Sequence, residues 1–304
     1  MTLDAVRAAV RAMEPVVGGW HLYVVDNDSQ DGSEARLRAA IDAERNLGTP
    51  GYEHVEVVQS GHNGGFGAGN NVGIRAALAR DDRPEYVYIL NSDAFPAPDA
   101  IAKLVEALET NRDLGIAGSY IHGVDGEPHV TAFRFPSIQS EVEDGIGLGV
   151  VTRLLRQWVV PMGIPDATTE VDWLAGASMA MRVSMLEEIG LFDETFFLYF
   201  EETDLCRRAA NAGWKTLYVR DSHVAHVGSA STGMKEWRRI PGYWLDSRRH
   251  YFQKNHGRRY WATATALRAA TSALYEARRQ LQPSKPRKNP EGFVRDLLRH
   301  ALKR

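Results

Sequence analysis

The chain has 304 residues, of which 44% are apolar and 25% charged, with a formal net charge of −3. This is an ordinary soluble globular composition, long enough for one large α/β domain or two small ones, and the near-neutral balance gives no global field that would favour nucleic acid. The single Cys206 excludes an internal disulfide framework and makes a reducing compartment the default.

Helical and strand periods alternate through the first half. Residues 3–13 predict a helix, within an amphipathic start that lacks the apolar centre of a secretory signal. His21 to Val25 predict a buried strand ending in the turn-rich run Asp26 to Ser33, and residues 34–46 a helix. His54 to Gln59 predict a second strand, followed by a glycine-rich run and a helix from Asn70 to Arg80. Tyr86 to Leu90 predict a third strand, delivering Asn91-Ser92-Asp93, and Asp99 to Thr110 a helix with Pro98 at its start. Such alternation implies a mostly parallel sheet covered on both faces, with ligands at the carboxyl ends of the strands. All three unusual loops leave such ends.

Residues 119–170 carry scattered Gly and Pro and read as a loop-rich insertion. Val171 to Met181 is apolar, Ser184 to Ile189 a short helix, Phe196 to Phe200 an aromatic stretch, residues 202–212 a helix and Lys215 to Val219 a strand. Residues 234–256 read as a helix rich in Trp, Tyr and Arg. Trp261 to Leu281 is interrupted by Arg268, Glu276, Arg278 and Arg279 and reads as an amphipathic helix; no run approaches the ~18 apolar residues needed to cross a bilayer. From Arg278 to Arg304 there are nine Lys/Arg against two acids, with three prolines and a candidate last basic helix at 291–303.

The loops carry the chemistry. Asp26 closes its strand, so its carboxylate is placed to accept hydrogen bonds from a base or ribose edge; service to the turn, where Asp31-Gly32-Ser33 also supplies a helix N-cap, explains it about as well. In Asn63 to Asn71, glycines permit close approach of a ligand and the helix start offers N–H groups to an anion. Neither nucleotide fingerprint is met: G-x-G-x-x-G read from Gly65 needs Gly where Asn70 stands, and no Gly-Lys-Ser/Thr follows. A flexible connector remains an alternative. Asp93, at a buried strand end, is placed to hold a divalent cation that keeps substrate phosphates in its shell; alone, it reads equally as a helix cap.

Glu201-Glu202-Thr203-Asp204 leaves an aromatic wall, which suits raised carboxyl pKa values and a base for a sugar hydroxyl. The helix dipole explains Asp204 well and the two glutamates less well. His226 is a candidate metal ligand with His223 as competitor, although a lone histidine is more often structural.

In their order, VVDNDSQDGS, NGGFGAGNNVGI, YVYILNSDAFPAPDAI, WLAGASMAMR, IGLFDETFFLYFEETDLCRRAANAGW and HVGSAST resemble glycosyltransferase family 2, an inverting family of GT-A fold, and within it the bacterial rhamnosyltransferase-like branch. These segments span roughly residues 20–232, and WLDSRRHYFQKNHG is also similar. The resemblance implies a Rossmann-like α/β nucleotide-diphosphosugar fold with a central, mostly parallel sheet. It implies that Asp26, Asn27 and Ser29 meet the nucleoside and that Asn63, Gly64, Gly65, Gly69 and Asn70 line the donor pocket. Asn91-Ser92-Asp93 stands at the family's D-x-D position, with Asn for the first acid, which leaves the metal role to Asp93. Glu202 matches the catalytic base, one methylene longer than the usual Asp, with Glu201 in reserve. His226 matches a histidine that helps bind metal-diphosphate, and Trp173, Gly176 and Ala177 lie in the acceptor-side segment.

The family normally opens with a strand ending in a nucleoside-holding turn. This chain begins in what reads as the following helix, so a central strand is expected to be missing, with exposed sheet edges and low stability or activity. The implied reaction is inverting sugar transfer, with dTDP-rhamnose the first-choice donor, a cell-envelope or lipid-linked saccharide as acceptor, and Mg²⁺ or Mn²⁺ as cofactor. Residues 1–257 form the expected transferase domain, its donor half about 1–118 and acceptor half about 119–257, with 258–304 a basic helical tail. A cytoplasmic protein, peripheral at the inner face of the plasma membrane, is expected from that tail; a solvated tail explains its charge equally. Two rivals remain: a sugar nucleotidyltransferase, whose Gly-rich loop with Arg and Lys on the first strand is absent, and an inactive or truncated homologue acting as a binding module.

Overall fold

The computed structural model describes residues 1–228, 237–282 and 284–303. The alternating first half forms α1 (Thr2–Met13), β1 (Leu22–Asp26), α2 (Ser33–Asn46), β2 (Val55–Gln59), α3 (Phe66–Leu78), β3 (Tyr86–Leu90), β4 (Ala94–Pro96) and α4 (Ala100–Thr110). Then come β5 (Leu114–His122), β6 (Ala132–Phe133), α5 (Ile138–Ile146), α6 (Gly149–Leu154), β7 (Thr169–Val171), β8 (Trp173–Leu174), β9 (Ser178–Arg182) and α7 (Val183–Ile189). The chain continues through α8 (Glu201–Asn211), β10 (Lys215–His226), α9 (Gly242–His256), α10 (Arg258–Leu281) and α11 (Phe293–Leu302).

The result is the expected α/β architecture. β1 and β2 pair in parallel. The larger sheet has the order β3-β9-β5-β10-β4, with β7 on β10. β5 and β10 are parallel, and β3 shares the sense of β5 because both run antiparallel to β9 between them. β1 bonds only β2, and β3 bonds only β9, so among the described residues no strand joins the two sheets. Packing joins them instead. α3 lies over both, bringing Gly73 against Val25 and Tyr23 of β1 and Ile74 into the core with Val87 and Ile89 of β3. α1 buries Val6 and Val10 against Leu37, Ile41, Val55 and Val57, which closes the other face of the small sheet.

Three expectations are corrected. α3 starts at Phe66, four residues before the predicted Asn70. Gly67 and Gly69 sit in its first turn, where their lack of a side chain lets the helix press against Phe192 and Asn27. The supposed loop-rich region contains the end of the central strand β5 as well as helices α5 and α6. Apart from its last residue β5 is buried throughout, and its small residues disguise it. Gly115 faces Met185 and Trp214, and Gly118 faces Leu174, at distances a Cβ would violate. α5 is fixed at its start by a reciprocal Ser137–Ser140 capping box. β10 also runs past the predicted Val219 to His226, with a register shift between Val219 and His223.

Candidate active site

Three strand ends and one helix start supply the site. β3 ends at Leu90, and the following turn bonds Ala94 N–H to Asn91 C=O at 3.1 Å. That turn buries Asp93 while Ser92 stays exposed. β10 pairs antiparallel with β4, setting His226 opposite Ala94. The pairing brings His226 Nε2 to 3.1 Å from Asp93 Oδ1 and 3.3 Å from Asn91 Nδ2. Burial alone would raise the Asp93 pKa, but the His226 hydrogen bond and charge outweigh it and hold the carboxyl below its ordinary value. Asp93 is thus ionised beside an imidazole, a hard-oxygen and nitrogen pair suited to a divalent cation. His129, which the sequence reading did not single out, has its ring centroid 6.3 Å from that of His226. Of the HVGSAST segment, Ser229 to Thr232 lie outside the described residues.

The carboxylate pair sits at the start of α8. Tyr199 and Phe200 both take left-handed backbone (φ 70°), which non-glycine residues adopt only when their surroundings enforce it. The enforcement is visible. Tyr243 of α9 stacks on Tyr199, Trp244 and Tyr251 pack against Phe200, and Ser247 donates to Leu198 C=O. Two acids then anchor α8 and the preceding loop to α9. Asp204 accepts from Arg208, Lys254 and Asn255, and Asp193 from His250 and Lys254. Asp204, which the sequence assigned to the helix dipole, is therefore the buried centre of an ion-pair network. Lys254 and His250 were invisible in sequence, because nothing local marks a surface-looking helix as the clamp on a distant loop.

Glu201 is 1% exposed, whereas Glu202 is half-buried. Glu202 Oε1 lies 3.4 Å from Gly176 N–H, at the outer limit of a hydrogen bond. The Oε2 atoms of both glutamates are buried without a hydrogen-bond partner, an arrangement that structure alone does not reward. Burial pushes both pKa values up, and for Glu201 the charge of Glu202 adds to the effect, so Glu201 rises further. The two carboxyls therefore titrate as a pair, both shifted toward holding a proton. A raised folded-state pKa adds stability at low pH that is lost as pH rises through it. Glu201→Gln is thus expected to raise Tm relative to wild type at pH 8 and to leave it unchanged at pH 4, a pattern that paired thermal melts would check.

One short path joins the two halves. Gly176 meets Glu202, its neighbour Ala177 accepts from Asn91 N–H at 3.0 Å, and Asn91 reaches His226 and hence Asp93. A side chain at Gly176 would strike the Phe66 ring at 2.9 Å. Trp173 stacks on Phe133 with ring centroids 4.2 Å apart and donates to Arg134 C=O, forming a half-buried aromatic step beside this path.

At the loop between β2 and α3, Asn27 Nδ2 bonds Asn63 Oδ1 and Gly65 C=O, and Gly69 lies against Asn27. Phe66 N–H donates to Phe197 C=O, joining this loop to the one before the glutamates. Asp26 is buried, with its carboxylate held by Ser29 and Gln59. Asn70 turns back to Phe66 C=O, whereas Asn71, not singled out from sequence, is wholly buried and bonds Phe192 and Glu194. Two adjacent asparagines point in different directions on a helix, and only packing reveals which one faces inward. Gly64 approaches Ala68 and His62. Cys206 is fully buried, which pushes its thiol up to about 12 and removes it from any reactive role.

A parallel-stranded half with a glycine-rich helix start, an Asn-Ser-Asp turn at a strand end facing a histidine, and a carboxylate pair on the adjoining helix match the GT-A glycosyltransferase fold. The sequence profile described as "Glycosyltransferase like family 2" matches residues 2–240, and the chain belongs to that family. It is 29% identical over 222 residues to the N-acetylglucosaminyl-diphospho-decaprenol L-rhamnosyltransferase of Mycobacterium tuberculosis, covering 70% of this chain and 68% of that enzyme. Rhamnosyltransferase WbbL of Escherichia coli is 28% identical over 165 residues, 53% of this chain and 60% of that protein. The mannosyltransferase PcManGT from Pyrobaculum calidifontis, solved with GDP-Man and Mn²⁺, superposes with a TM-score of 0.55 at 16% identity over 98% of this chain and 75% of that one. S. aureus TarS 1-349 in complex with UDP-GlcNAc gives 0.52 at 14% identity over 92% and 69%. These two structures share the fold.

Proposed function

We propose that the protein transfers a sugar, with inversion, from a nucleotide-diphosphate sugar to a hydroxyl of a cell-envelope or lipid-linked saccharide. The observation that carries this reading is the short path from ionised Asp93 and His226 through Asn91 and Ala177 to Glu202. The two rhamnosyltransferase relatives, one named for a diphospho-decaprenol substrate, favour dTDP-rhamnose as donor and a lipid-linked acceptor. Glu202 takes the proton from the acceptor hydroxyl as its oxygen attacks the anomeric carbon, and the bond to the nucleotide diphosphate breaks on the opposite side. Asn27, Asn63 and the backbone from Gly65 to Gly69 form the donor wall, where α3 directs its N-terminus toward the diphosphate. Trp173 and Phe133 offer an apolar step for the acceptor.

Asp93 and His226 would hold a divalent cation. Among the described residues no group of three or more His, Cys, Asp and Glu side chains is gathered to bind metal. Two protein ligands suit Mg²⁺ or Mn²⁺, which leave several positions to phosphate oxygens and water. When bound, the ion neutralises charge on the leaving diphosphate. The basic segment after Arg278 adds peripheral contact with the inner membrane face, where a lipid-linked acceptor resides.

Release of nucleotide diphosphate from a panel of nucleotide sugars, with and without acceptor, tests the reaction, and no release from any donor would overturn it. Asp93→Ala is expected to abolish the Mn²⁺-dependent part of donor binding, seen as loss of the metal-induced thermal shift. An unchanged shift would remove Asp93 from the metal site.

A further inference from the structure

One side of α10 is packed: Arg268 pairs with Asp144 of α5, Thr271 meets Gly145, and Ala269 joins Leu245, Phe293 and Leu297. Its opposite side faces outward. Leu267, Leu274 and Leu281 recur there every seventh residue, 37%, 56% and 82% exposed, with Ala266, Ala270 and Ala273 exposed beside them. Seven-residue spacing keeps side chains on one face of a helix, here over about 21 Å at ~1.5 Å per residue. Between Arg259 and Arg278 the helix holds two charges, and neither belongs to this strip: Arg268 is buried, and Glu276 is half-buried against Arg279.

The surroundings carry charge of one sign. Residues 257–304 hold twelve Lys/Arg against three Asp/Glu, a net +9, whereas residues 1–256 carry −12. Across a groove of about 420 Å³, Arg287 and Arg295 face Ala273 and Ala277 of α10. Arg238 and Arg239 border the adjoining hollow together with Arg295. The acids of this rim are Glu276, Glu291 and Asp296, paired with Arg279, Arg287 and Arg239 respectively. Arg238 and Arg295, largely exposed, share Glu291 and Asp296 at 3.7 and 3.8 Å, so the rim has more cations than acids.

We infer that the outer side of α10 is a docking surface for an anionic lipid bilayer, with its leucines entering the interface and the neighbouring arginines meeting lipid phosphates. The inference rests on the membrane contact read above and shifts it from the end of the chain to a defined helical face. A second copy placed on this strip by two-fold symmetry would set the cationic rim against itself. An anionic surface satisfies both the leucines and the rim. Among the described residues no helix is long and apolar enough to cross a membrane, and the contact inferred runs along the surface.

The test is flotation of the full chain with phosphatidylcholine vesicles, with and without phosphatidylglycerol, in the absence of donor and acceptor. Wild type is expected to float with the anionic vesicles alone. Leu267→Glu/Leu274→Glu/Leu281→Glu is expected to reduce the bound fraction at least tenfold, and Arg295→Gln about fivefold, the size of one interfacial cation. Circular dichroism confirms folding, and the single Leu274→Ser variant gives a milder loss if the triple variant is unstable. Nucleotide-diphosphate release, measured in parallel, reports the transferase reading separately, so retained release with lost flotation supports the surface. The inference is overturned if wild type does not float, or if the leucine variants float like wild type. It is also overturned if sedimentation shows a wild-type dimer that the leucine variants dissociate while neither binds vesicles.

Discussion

Glu202→Gln is expected to lower kcat by about 10²–10⁴-fold, the range for loss of a positioned general base, while donor affinity stays essentially unchanged. Gln keeps the volume of the side chain and its approach to Gly176, so the walls of the site should persist. What disappears is the capacity to accept a proton. The pH profile sharpens the test. A base works when unprotonated, and burial raises the Glu202 pKa above its ordinary value of 4.5. Wild-type kcat/KM should therefore fall as pH drops through that raised value, an acid limb displaced upward from that of a free glutamate. The variant's residual activity should lack this limb. Near wild-type turnover in Glu202→Gln, combined with a collapse in Glu201→Gln, would exchange the roles of the two residues.

Gly65→Ala is expected to be the most damaging single substitution for folding around the start of α3, costing on the order of 3 kcal/mol or more. Gly65 caps α3 with φ 89° and ψ −171°, a region that essentially only glycine occupies. An added Cβ would stand 1.8 Å from the carbonyl oxygen of Phe197 and 2.6 Å from its carbonyl carbon. Those are backbone atoms of the loop that presents Glu201 and Glu202, so no side chain can swing aside. Relief requires the loop before α3 and the loop before α8 to part, breaking the Phe66–Phe197 hydrogen bond. Denaturant melts should show the lost stability, and donor binding should weaken with it. Gly69→Ala is the control: the nearest atoms to its Cβ would be those of the Asn27 side chain, at 3.2 Å and beyond. Equal stability of Gly65→Ala and wild type would show that the two loops are not locked through this residue.

The carboxylate pair illustrates how sequence and structure divide the information. Two glutamates after five residues of mostly aromatic character were legible as candidates, because such a wall implies desolvation. Their inequality was not legible. It follows from packing and from mutual charge: Glu201 is 1% exposed against a half-buried Glu202, and the charge of Glu202 adds to the effect of burial on Glu201.

Local patterning settled the alternation of strands and helices up to Thr110, the three loops at strand ends and, through the resemblance they carry, the α/β transferase fold. These follow from periodicity and turn chemistry, which act over a few residues. Tertiary structure alone settled four matters. β5 is central although its two glycines and one alanine look like loop, because small residues are what a strand needs when Leu174, Met185 and Trp214 crowd it. β9 runs against its neighbours, since strand direction depends on the connection rather than on composition. Asn71, not Asn70, is the buried tie to the Phe192 loop. Asp93 and His226 meet although 133 positions separate them, because β10 folds back on β4 and converts distant sequence into a single hydrogen-bonding distance.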